Sequence, residues 1–377
     1  MDDARAALAR RVRGLDLSRR FYFEAVRPIL DREFPRLEHA AALVGWSSEV
    51  LGFDDETSQD HEWGPRLQLF LRDVDAAPAI ERRLAEELPV EFAGVPTNFG
   101  PTDEPGTVKI AAVDAGPVAH RVETLVYRDY LRSRLGTDPL ERFTVLDWLV
   151  TPTQRLLETT AGEVFVDRIG EVTRAREVLA WYPHDVWLLV MSGHWRRIAQ
   201  LEHLHGRTGS RGDELGSRLI AASLVRDLMR LALLQERRYP PYPKWLGSAY
   251  ALLDRPEGEA LHAALGAAGW REREDALVTA YELVAERHNA LAVTEPVDPA
   301  ARQFYGRPFR VLFADRLVDA LRAAITGPAV RALDHLAGSI DAVSDSTDVL
   351  TRPRLWRRLG GLYDRTQSDQ GDGSDGM

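Results

Sequence analysis

Residues 45–62 read GWSSEVLGFDDETSQDHE, and this stretch carries most of what the sequence says about fold and function. It joins a glycine, clustered hydroxyl side chains and two carboxylates, Asp60 and Glu62, that are two positions apart. On a strand such a pair projects onto one face, whereas a helix would splay it apart. The apolar run at residues 67–71 favours a strand over residues 60–73. We therefore predict that Asp60 and Glu62 hold one or two divalent ions between them.

The residues before the acidic pair suit a phosphate group. An apolar run leads to Gly45, after which Ser47 and Ser48 supply hydroxyls and backbone N–H groups, and Ser58 stands two positions before Asp60. Anion-binding turns are commonly built in this way. The alternative is an acidic loop whose carboxylates cap turns and face water.

The spacing of these residues resembles the Gly-Ser and Asp-x-Glu pattern of the DNA polymerase β-like nucleotidyltransferase superfamily, which includes antibiotic nucleotidyltransferases. The longer string at residues 54–66 is similar to a narrower group, the bacterial DUF4037 proteins. This narrower resemblance extends over nearly the whole chain. Its further matching stretches are Trp181-Tyr182-Pro183, Gly206-Arg207, residues 212–217, residues 239–245 and Gly338-Ser339-Ile340-Asp341.

The resemblance implies roles for particular residues. Gly45 with Ser47 would fill the superfamily's Gly-Ser element, from which the intervening Trp46 departs. Superfamily enzymes usually carry a third carboxylate on a neighbouring strand, as metal ligand or as base for the incoming hydroxyl, and Glu123 lies in a suitable extended stretch. The alternative for Glu123 is a surface ion pair with Arg121 or Arg128. Asp147 and Asp167 compete for the same role.

Lys244 is a candidate ligand of the triphosphate. Of the 48 basic residues only Lys109 and Lys244 are lysine, and an ammonium is a compact point charge suited to phosphate. Lys244 follows a rigid Tyr-Pro-Pro-Tyr-Pro run that would fix its backbone. The structural alternative is an ion pair with a carboxylate. Asp213, at a glycine-rich turn, is predicted to cap the helix that follows it.

The composition indicates a globular protein, and we expect it to bind neither nucleic acid nor a membrane. The chain has 377 residues, 45% of them apolar and 28% charged, which suffices for two domains with ordinary cores. A net charge of −10 disfavours general nucleic acid binding. No apolar run approaches the roughly 20 residues of a membrane span, and no secretory signal begins the chain, so we expect a cytoplasmic protein. The absence of cysteine excludes disulfides and thiolate chemistry.

The order of the sequence patterns predicts an α+β protein. We expect a nucleotidyltransferase-like domain with a small mixed sheet at residues 1–150, opened by a helix over residues 17–33 that Pro28 kinks. Long amphipathic patterns after residue 150 predict an all-helical bundle domain at 151–365. The tail, residues 366–377, lacks large apolar side chains apart from its final methionine and is predicted to be disordered.

These observations lead to one functional hypothesis and one rival. The first is a Mg²⁺-dependent nucleotidyltransferase, with Asp60, Glu62 and Glu123 as its acidic residues. It would transfer a nucleoside monophosphate from a nucleoside triphosphate, ATP by preference, to a hydroxyl of a small molecule or protein. By analogy with antibiotic nucleotidyltransferases, its site would lie in the cleft between the domains. The rival is a non-catalytic nucleotide-binding or interaction scaffold that retains the fold.

Overall fold

The computed structural model describes residues 13–334 and 337–364, and the chain divides into two units. Within the described residues, the first unit comprises 13–142 and 155–180, and the second comprises 143–154, 181–334 and 337–364. The predicted disordered tail, 366–377, lies outside the described residues.

Helices and strands together give a mixed architecture, and the predicted α+β class is confirmed. The helices in chain order are α1 (Gly14–Phe21), α2 (Arg27–Glu33), α3 (Ser48–Leu51), α4 (Ala77–Glu87), α5 (Tyr127–Leu135), α6 (Val145–Val150), α7 (Thr153–Thr160), α8 (Glu171–Val178), α9 (His184–Leu201), α10 (Leu204–Gly209), α11 (Glu214–Gln235), α12 (Pro243–Ala251), α13 (Gly258–Gly266), α14 (Trp270–Ala290), α15 (Asp315–Ala324), α16 (Pro328–Arg331), α17 (Thr347–Leu350) and α18 (Pro353–Trp356). A π-helical segment spans Tyr22–Val26, and 3₁₀ turns span Thr57–Gln59, Ile340–Ala342 and Arg357–Tyr363.

The strands are short, and most of them lie in the first unit. In chain order they are β1 (Ala40–Leu43), β2 (Arg66–Leu71), β3 (Glu91–Phe92), β4 (Val95–Pro96), β5 (Phe99–Pro101), β6 (Val108–Ile110), β7 (Arg121–Val126), β8 (Glu163–Asp167), β9 (Arg302–Gln303) and β10 (Arg310–Val311). Three antiparallel ladders, β3–β4, β5–β6 and β9–β10, stand apart from the main sheet.

The main sheet has four strands in the order β7-β2-β1-β8. β1 pairs antiparallel with both β2 and β8, whereas β2 and β7 run parallel. In this register Gln68 lies beside Ala42 on one side and Glu123 on the other, and Arg66 lies beside Arg121. Since paired residues face the same side of a sheet, Arg66, Gln68, Arg121 and Glu123 share one face.

The opposite face of the sheet forms the core of the first unit. Leu67, Leu69 and Leu71 of β2 and Val122 of β7 are buried in one apolar cluster with side chains of α1, α2 and α4. Alternation of side chains along β2 therefore separates an apolar face from a face that begins with Arg66 and Gln68.

The predicted opening helix is continuous from Gly14 to Glu33, and Pro28 changes its winding. Proline has no N–H to donate to the carbonyl of Glu24, four residues earlier, so one α-helical bond is lost there. The five residues Tyr22–Val26, which include Glu24, form a π-helical turn. The chain thus widens its winding ahead of the proline.

The predicted boundary at residue 150 is wrong in two respects, since residues 143–150 group with the second unit and residues 155–180 with the first. Residues 155–180 group with the first unit, because β8 pairs with β1 as the fourth strand of the main sheet. The second unit is helical as predicted, apart from the β9–β10 ladder. In it, α9 packs against α11 and α15, and α11 packs against α14.

Two of the stretches similar to DUF4037 proteins meet in an aromatic cluster of the second unit. The Trp181 ring lies 4.8 Å from the Tyr239 ring, and Tyr182 lies 5.2 Å from the same ring. Trp148 contacts Tyr182 at 5.5 Å. These stretches therefore have a structural role in the helical core. Within the described residues, no helix combines the length and the apolar character that a membrane crossing requires.

Gly162 provides a test of the sheet, since its position lacks room for a side chain. It has a φ of +70°, and a Cβ there would lie 2.1 Å from the carbonyl oxygen of Leu43 at the end of β1. We expect Gly162→Ala to lower the free energy of unfolding by about 3 kcal/mol, the sum of left-handed strain and overlap. Gly170 has a similar φ of +73° with nothing within 4 Å, so Gly170→Ala should lose only about 1 kcal/mol. Urea unfolding of both variants gives the comparison, and equal losses would contradict it.

Glu202 makes the stability of the second unit depend on pH. This buried carboxylate accepts N–H groups of Leu312 at 2.7 Å and Ala314 at 3.0 Å. Burial raises the pKa of Glu202 from 4.5 to about 7, although these backbone donors oppose the rise. A raised pKa in the folded state means stability that is full below about pH 4.5 and is lost as the pH rises through about 7.

The matched variant is Glu202→Gln, which stays neutral at every pH. The free energy of unfolding of the wild type, measured relative to this variant, should fall by about 1–3 kcal/mol between pH 4.5 and 8. Urea titrations of both proteins across this range measure the difference. A constant difference would show that Glu202 keeps an ordinary pKa.

Candidate functional site

The turn after β1 begins with Gly45 and leads into α3. Gly45 has a φ of +111°, a region that side chains disfavour, and its N–H donates to the carbonyl of Glu158 at 3.1 Å. Ser47 is the residue before α3, and its hydroxyl lies 2.6 Å from Arg66 Nη2. Ser48 is the first residue of α3. The Gly45 amide and the Ser47 hydroxyl, both predicted to meet phosphate, are therefore bound within the protein.

Beneath this turn lies an ion pair that the sequence analysis did not predict. Arg66 Nε lies 2.9 Å from Glu49 Oε1, and the two side chains are 9% and 3% exposed. A second buried pair, Arg155 with Glu158, lies in α7 with its oxygen 2.5 Å from Arg155 Nη1. Removal of one partner from such a pair leaves an uncompensated charge, so these arginines are fixed parts of the fold.

Residues 52–61 form a loop held by contacts within the loop and by a contact to the start of α1. Asp55 Oδ1 accepts the Ser58 backbone N–H at 3.0 Å and the Ser58 hydroxyl at 3.2 Å, so Ser58 belongs to a turn. Asp54 accepts the N–H of Gly14 at 2.8 Å, at the start of α1. Both contacts are structural ones, and the predicted contact of Ser58 with nucleotide stays a prediction.

The expectation that Asp60 and Glu62 lie on one strand is wrong. Asp60 ends the 3₁₀ turn with helical angles, Glu62 has a φ of +53°, and β2 begins only at Arg66. Gly64, with a φ of +143°, and Pro65, which has no N–H for a ladder, separate the acidic pair from the strand. Asp60 and Glu62 therefore do not share a face by strand alternation.

The two acids also have different partners. The Asp60 side chain is 63% exposed, and its Oδ1 lies 2.7 Å from His61 Nδ1. The Glu62 side chain is 11% exposed, and its Oε2 accepts from Arg121 Nη2 at 2.7 Å. Asp60 thus faces solvent, whereas Glu62 points to β7.

Glu62 and Glu123 converge on one guanidinium nitrogen. Arg121 Nη2, at 2.7 Å from Glu62, lies 3.0 Å from Glu123 Oε1. The predicted alternative for Glu123, an ion pair with Arg121, is thus confirmed, but the same arginine also binds Glu62. The structure brings together Glu62 and Glu123, two of the three predicted acidic residues.

These residues gather at one end of the main sheet, which we call the functional end: Gly45, Ser47, Glu62, Arg66, Arg121 and Glu123. The register explains the grouping, since the end of β1 and the starts of β2 and β7 meet there. Gln68 holds the strands together at this point, because its Oε1 accepts the N–H of Val44 at 3.0 Å.

An open cavity of about 730 Å³ adjoins the functional end. It runs along β7, the edge strand, between α4 and α5. Its charged side chains include Arg121, Glu123, Arg134 and Glu81, so both signs of charge face it. The volume lies within the range of small-ligand sites, about 300–1,000 Å³.

The remaining predicted residues lie elsewhere. Lys244 is in α12 of the second unit, exposed, with Nζ 4.9 Å from the Trp245 ring centre, and its triphosphate role stays a prediction. Asp147 forms a capping box with Thr144, and Asp167 accepts the N–H of Gly170, so both competitors of Glu123 have structural partners. The predicted cap is confirmed: Asp213 accepts the N–H of Gly216 at 2.8 Å.

Two acidic side chains, those of Glu62 and Glu123, lie close enough together to act as ligands of one metal ion. Among residues 13–334 and 337–364, no three His, Cys, Asp or Glu side chains are grouped so that they could hold a metal ion. Glu62 and Glu123, however, already share one positive group, the Arg121 guanidinium. Two carboxylates that converge on a cation fit the oxygen ligands of Mg²⁺, which takes one or two carboxylates together with waters and phosphate oxygens.

Comparisons with known proteins support part of the resemblance. Residues 148–246 match the family described as "Domain of unknown function (DUF4037)". Among solved structures, the chain is similar to a nucleotidyltransferase-like protein from Exiguobacterium sibiricum 255-15, with 14% sequence identity and a TM-score of 0.33. The match covers 80% of this chain and 88% of that one. No curated protein matches the chain.

The buried pair beneath the turn gives a stability prediction. Arg66→Met should lower the free energy of unfolding by about 3–5 kcal/mol, because Glu49 remains buried without a counter-charge. Arg66→Met with Glu49→Met should restore most of that loss. Arg19 and Glu163, 2.8 Å apart but 48% and 31% exposed, provide the control, and Arg19→Met should lose less than about 1 kcal/mol. Urea unfolding measures all three. A double variant no more stable than Arg66→Met would contradict the assignment.

Proposed function

We propose that the first unit binds a nucleoside triphosphate at the functional end and transfers its nucleotidyl group to a hydroxyl acceptor. The observation that carries the proposal is the convergence of Glu62 and Glu123 on one positive group beside an open cavity. The sequence supports it too, through the resemblance of residues 45–62 to the nucleotidyltransferase superfamily.

Each acid has a role in this proposal. Glu62 and Glu123 would hold Mg²⁺, which neutralises the charge that develops as pyrophosphate leaves. Glu123 is the more exposed of the two, at 36% against 11%, and it lines the cavity. We therefore propose that Glu123 also acts as the general base that removes the proton of the acceptor hydroxyl. General bases need such access to the proton that they remove.

Trp46 is a candidate contact for the base. Its side chain is 50% exposed in the turn between Gly45 and Ser47. An exposed indole face binds nucleobases by stacking, with little preference among them. Trp46, which departs from the Gly-Ser pattern, would thus have a role in binding the base. Stacking of this kind fits a site that accepts more than one nucleoside triphosphate.

A second candidate function is the non-catalytic scaffold. The observation that favours it is that the Gly45 N–H, a predicted phosphate donor, already donates to the carbonyl of Glu158 within the protein. Nucleotide binding without pyrophosphate release would be the signature of this alternative.

The test compares the wild type with three variants of the full chain, each of which replaces one acidic residue by its amide. ATP and GTP are added with and without Mg²⁺, and both binding and pyrophosphate release are followed. Glu62→Gln and Glu123→Gln should each reduce release about 100-fold or more, as loss of groups that hold developing charge usually does. Asp60→Asn is the matched control, since Asp60 is exposed and paired with His61, and it should stay within about tenfold of the wild type.

Two outcomes would change the conclusion. Absence of pyrophosphate release from the wild type with both nucleotides, together with measurable binding, favours the scaffold. A loss in Asp60→Asn as large as in Glu62→Gln would return the metal site to the sequence-predicted pair, Asp60 with Glu62.

A further inference from the structure

A single nitrogen of Arg121, Nη2, contacts two carboxylates. This nitrogen lies 2.7 Å from Glu62 Oε2 and 3.0 Å from Glu123 Oε1. Two carboxylates this close repel each other unless a positive charge lies between them. The guanidinium therefore supplies the charge that a shared divalent cation would otherwise supply.

Arg121 is held by fewer contacts than the neighbouring arginine in the register. Its side chain is 31% exposed and lines the 730 Å³ cavity, and its buried Nε has no hydrogen-bond partner among the described residues. The neighbouring arginine in the register, Arg66, differs in both respects. It uses Nε and Nη2 to bind Glu49 and Ser47, and it is 9% exposed. Rotation of Arg121 into the cavity breaks contacts to one nitrogen only.

We propose that Arg121 is an exchangeable counter-cation of the functional end. It neutralises Glu62 and Glu123 until the phosphates of a nucleotide attract it into the cavity, and the two carboxylates then accept a divalent cation. This inference deepens the proposed function and rests on it for the identity of the ligand. It makes the guanidinium and the metal competitors for the same carboxylates, and it makes nucleotide and metal cooperate in binding.

The first measurement uses Mn²⁺ alone as the probe, without nucleotide. Arg121→Gln should bind Mn²⁺ at least about tenfold more tightly than the wild type, in the range usual for coupled sites. Arg134→Gln is the matched control, because Arg134 faces the same cavity but lies over the Tyr130 ring at 5.5 Å. It removes the same charge and should change Mn²⁺ affinity less than about threefold.

The second measurement uses ATP in the presence of EDTA and does not depend on the fold of the Arg121 variant. Glu123→Gln releases Arg121 from one carboxylate, so metal-free ATP should bind at least about fivefold more tightly. Glu81→Gln removes a negative charge from the same cavity without a contact to Arg121, and it should change the affinity less than about twofold. Circular dichroism verifies that each variant is folded.

The outcomes separate this inference from the proposed function. Mn²⁺ affinity in folded Arg121→Gln equal to that of the wild type overturns it, as does an equal response of Glu123→Gln and Glu81→Gln to ATP. Both measurements are equilibrium binding, so the inference survives if no pyrophosphate is ever released. Conversely, turnover that depends on Glu62 and Glu123 can hold while Arg121→Gln leaves Mn²⁺ binding unchanged.

Discussion

The first unit depends on β1, whose four residues, Ala40–Leu43, are fully buried between two antiparallel partners. Small alanine side chains allow close packing on both faces of this central strand. The ladder to β2 aligns Ala42 with Gln68, and the ladder to β8 aligns Leu43 with Glu163. Because β8 follows β1 by more than a hundred residues, the sheet closes only after most of the unit has been synthesised. The positions of the side chains in the candidate site are consequences of this register.

Charge pairing at the functional end is graded by exposure. Arg66 with Glu49 and Arg155 with Glu158 are nearly inaccessible to solvent, so the loss of either partner would leave a buried charge. Arg121 and Glu123, by contrast, line the cavity, where water screens their charges and lowers the free energy needed to separate them. The fold thus uses the same residue types in its most buried pairs and in the more exposed pairs of Arg121, which we propose to be exchangeable.

Local patterns in the sequence predicted the fold better than the site. The opening helix, the strand after residue 66, the helical second half and the Asp213 cap all depend on neighbouring residues, which periodicity and capping rules describe. The sequence analysis did not place β8 in the main sheet, because the residue pattern of a short strand does not indicate the strand with which it pairs. The strand over Asp60 and Glu62 was predicted from the apolar run that follows, but Gly64 and Pro65 interrupt it.

The site could be predicted only in part, for a related reason. Glu123 was predicted as the third carboxylate that the superfamily resemblance implies, and the register sets it beside Gln68 of β2. The partner of Glu62, however, is 59 residues away, and nothing in the local sequence selects Arg121 over other arginines. Arg66 was missed although it lies within the motif, because a buried arginine is recognisable only when the burial of Glu49 is known. Ion pairs across a sheet are thus determined by its register.

The balance between transferase and scaffold depends on what remains available to a triphosphate. The Gly45 N–H already donates to Glu158, and Arg66 is paired with Glu49. The Ser47 hydroxyl accepts from Arg66 and keeps its own proton to donate. Arg121 is a cation that combines solvent access with a position between two carboxylates. In the proposed exchange a polyanion would attract it, and its departure would leave two adjacent negative charges whose repulsion a divalent cation would relieve. Under the proposal, phosphate binding and metal binding would therefore be coupled through Arg121.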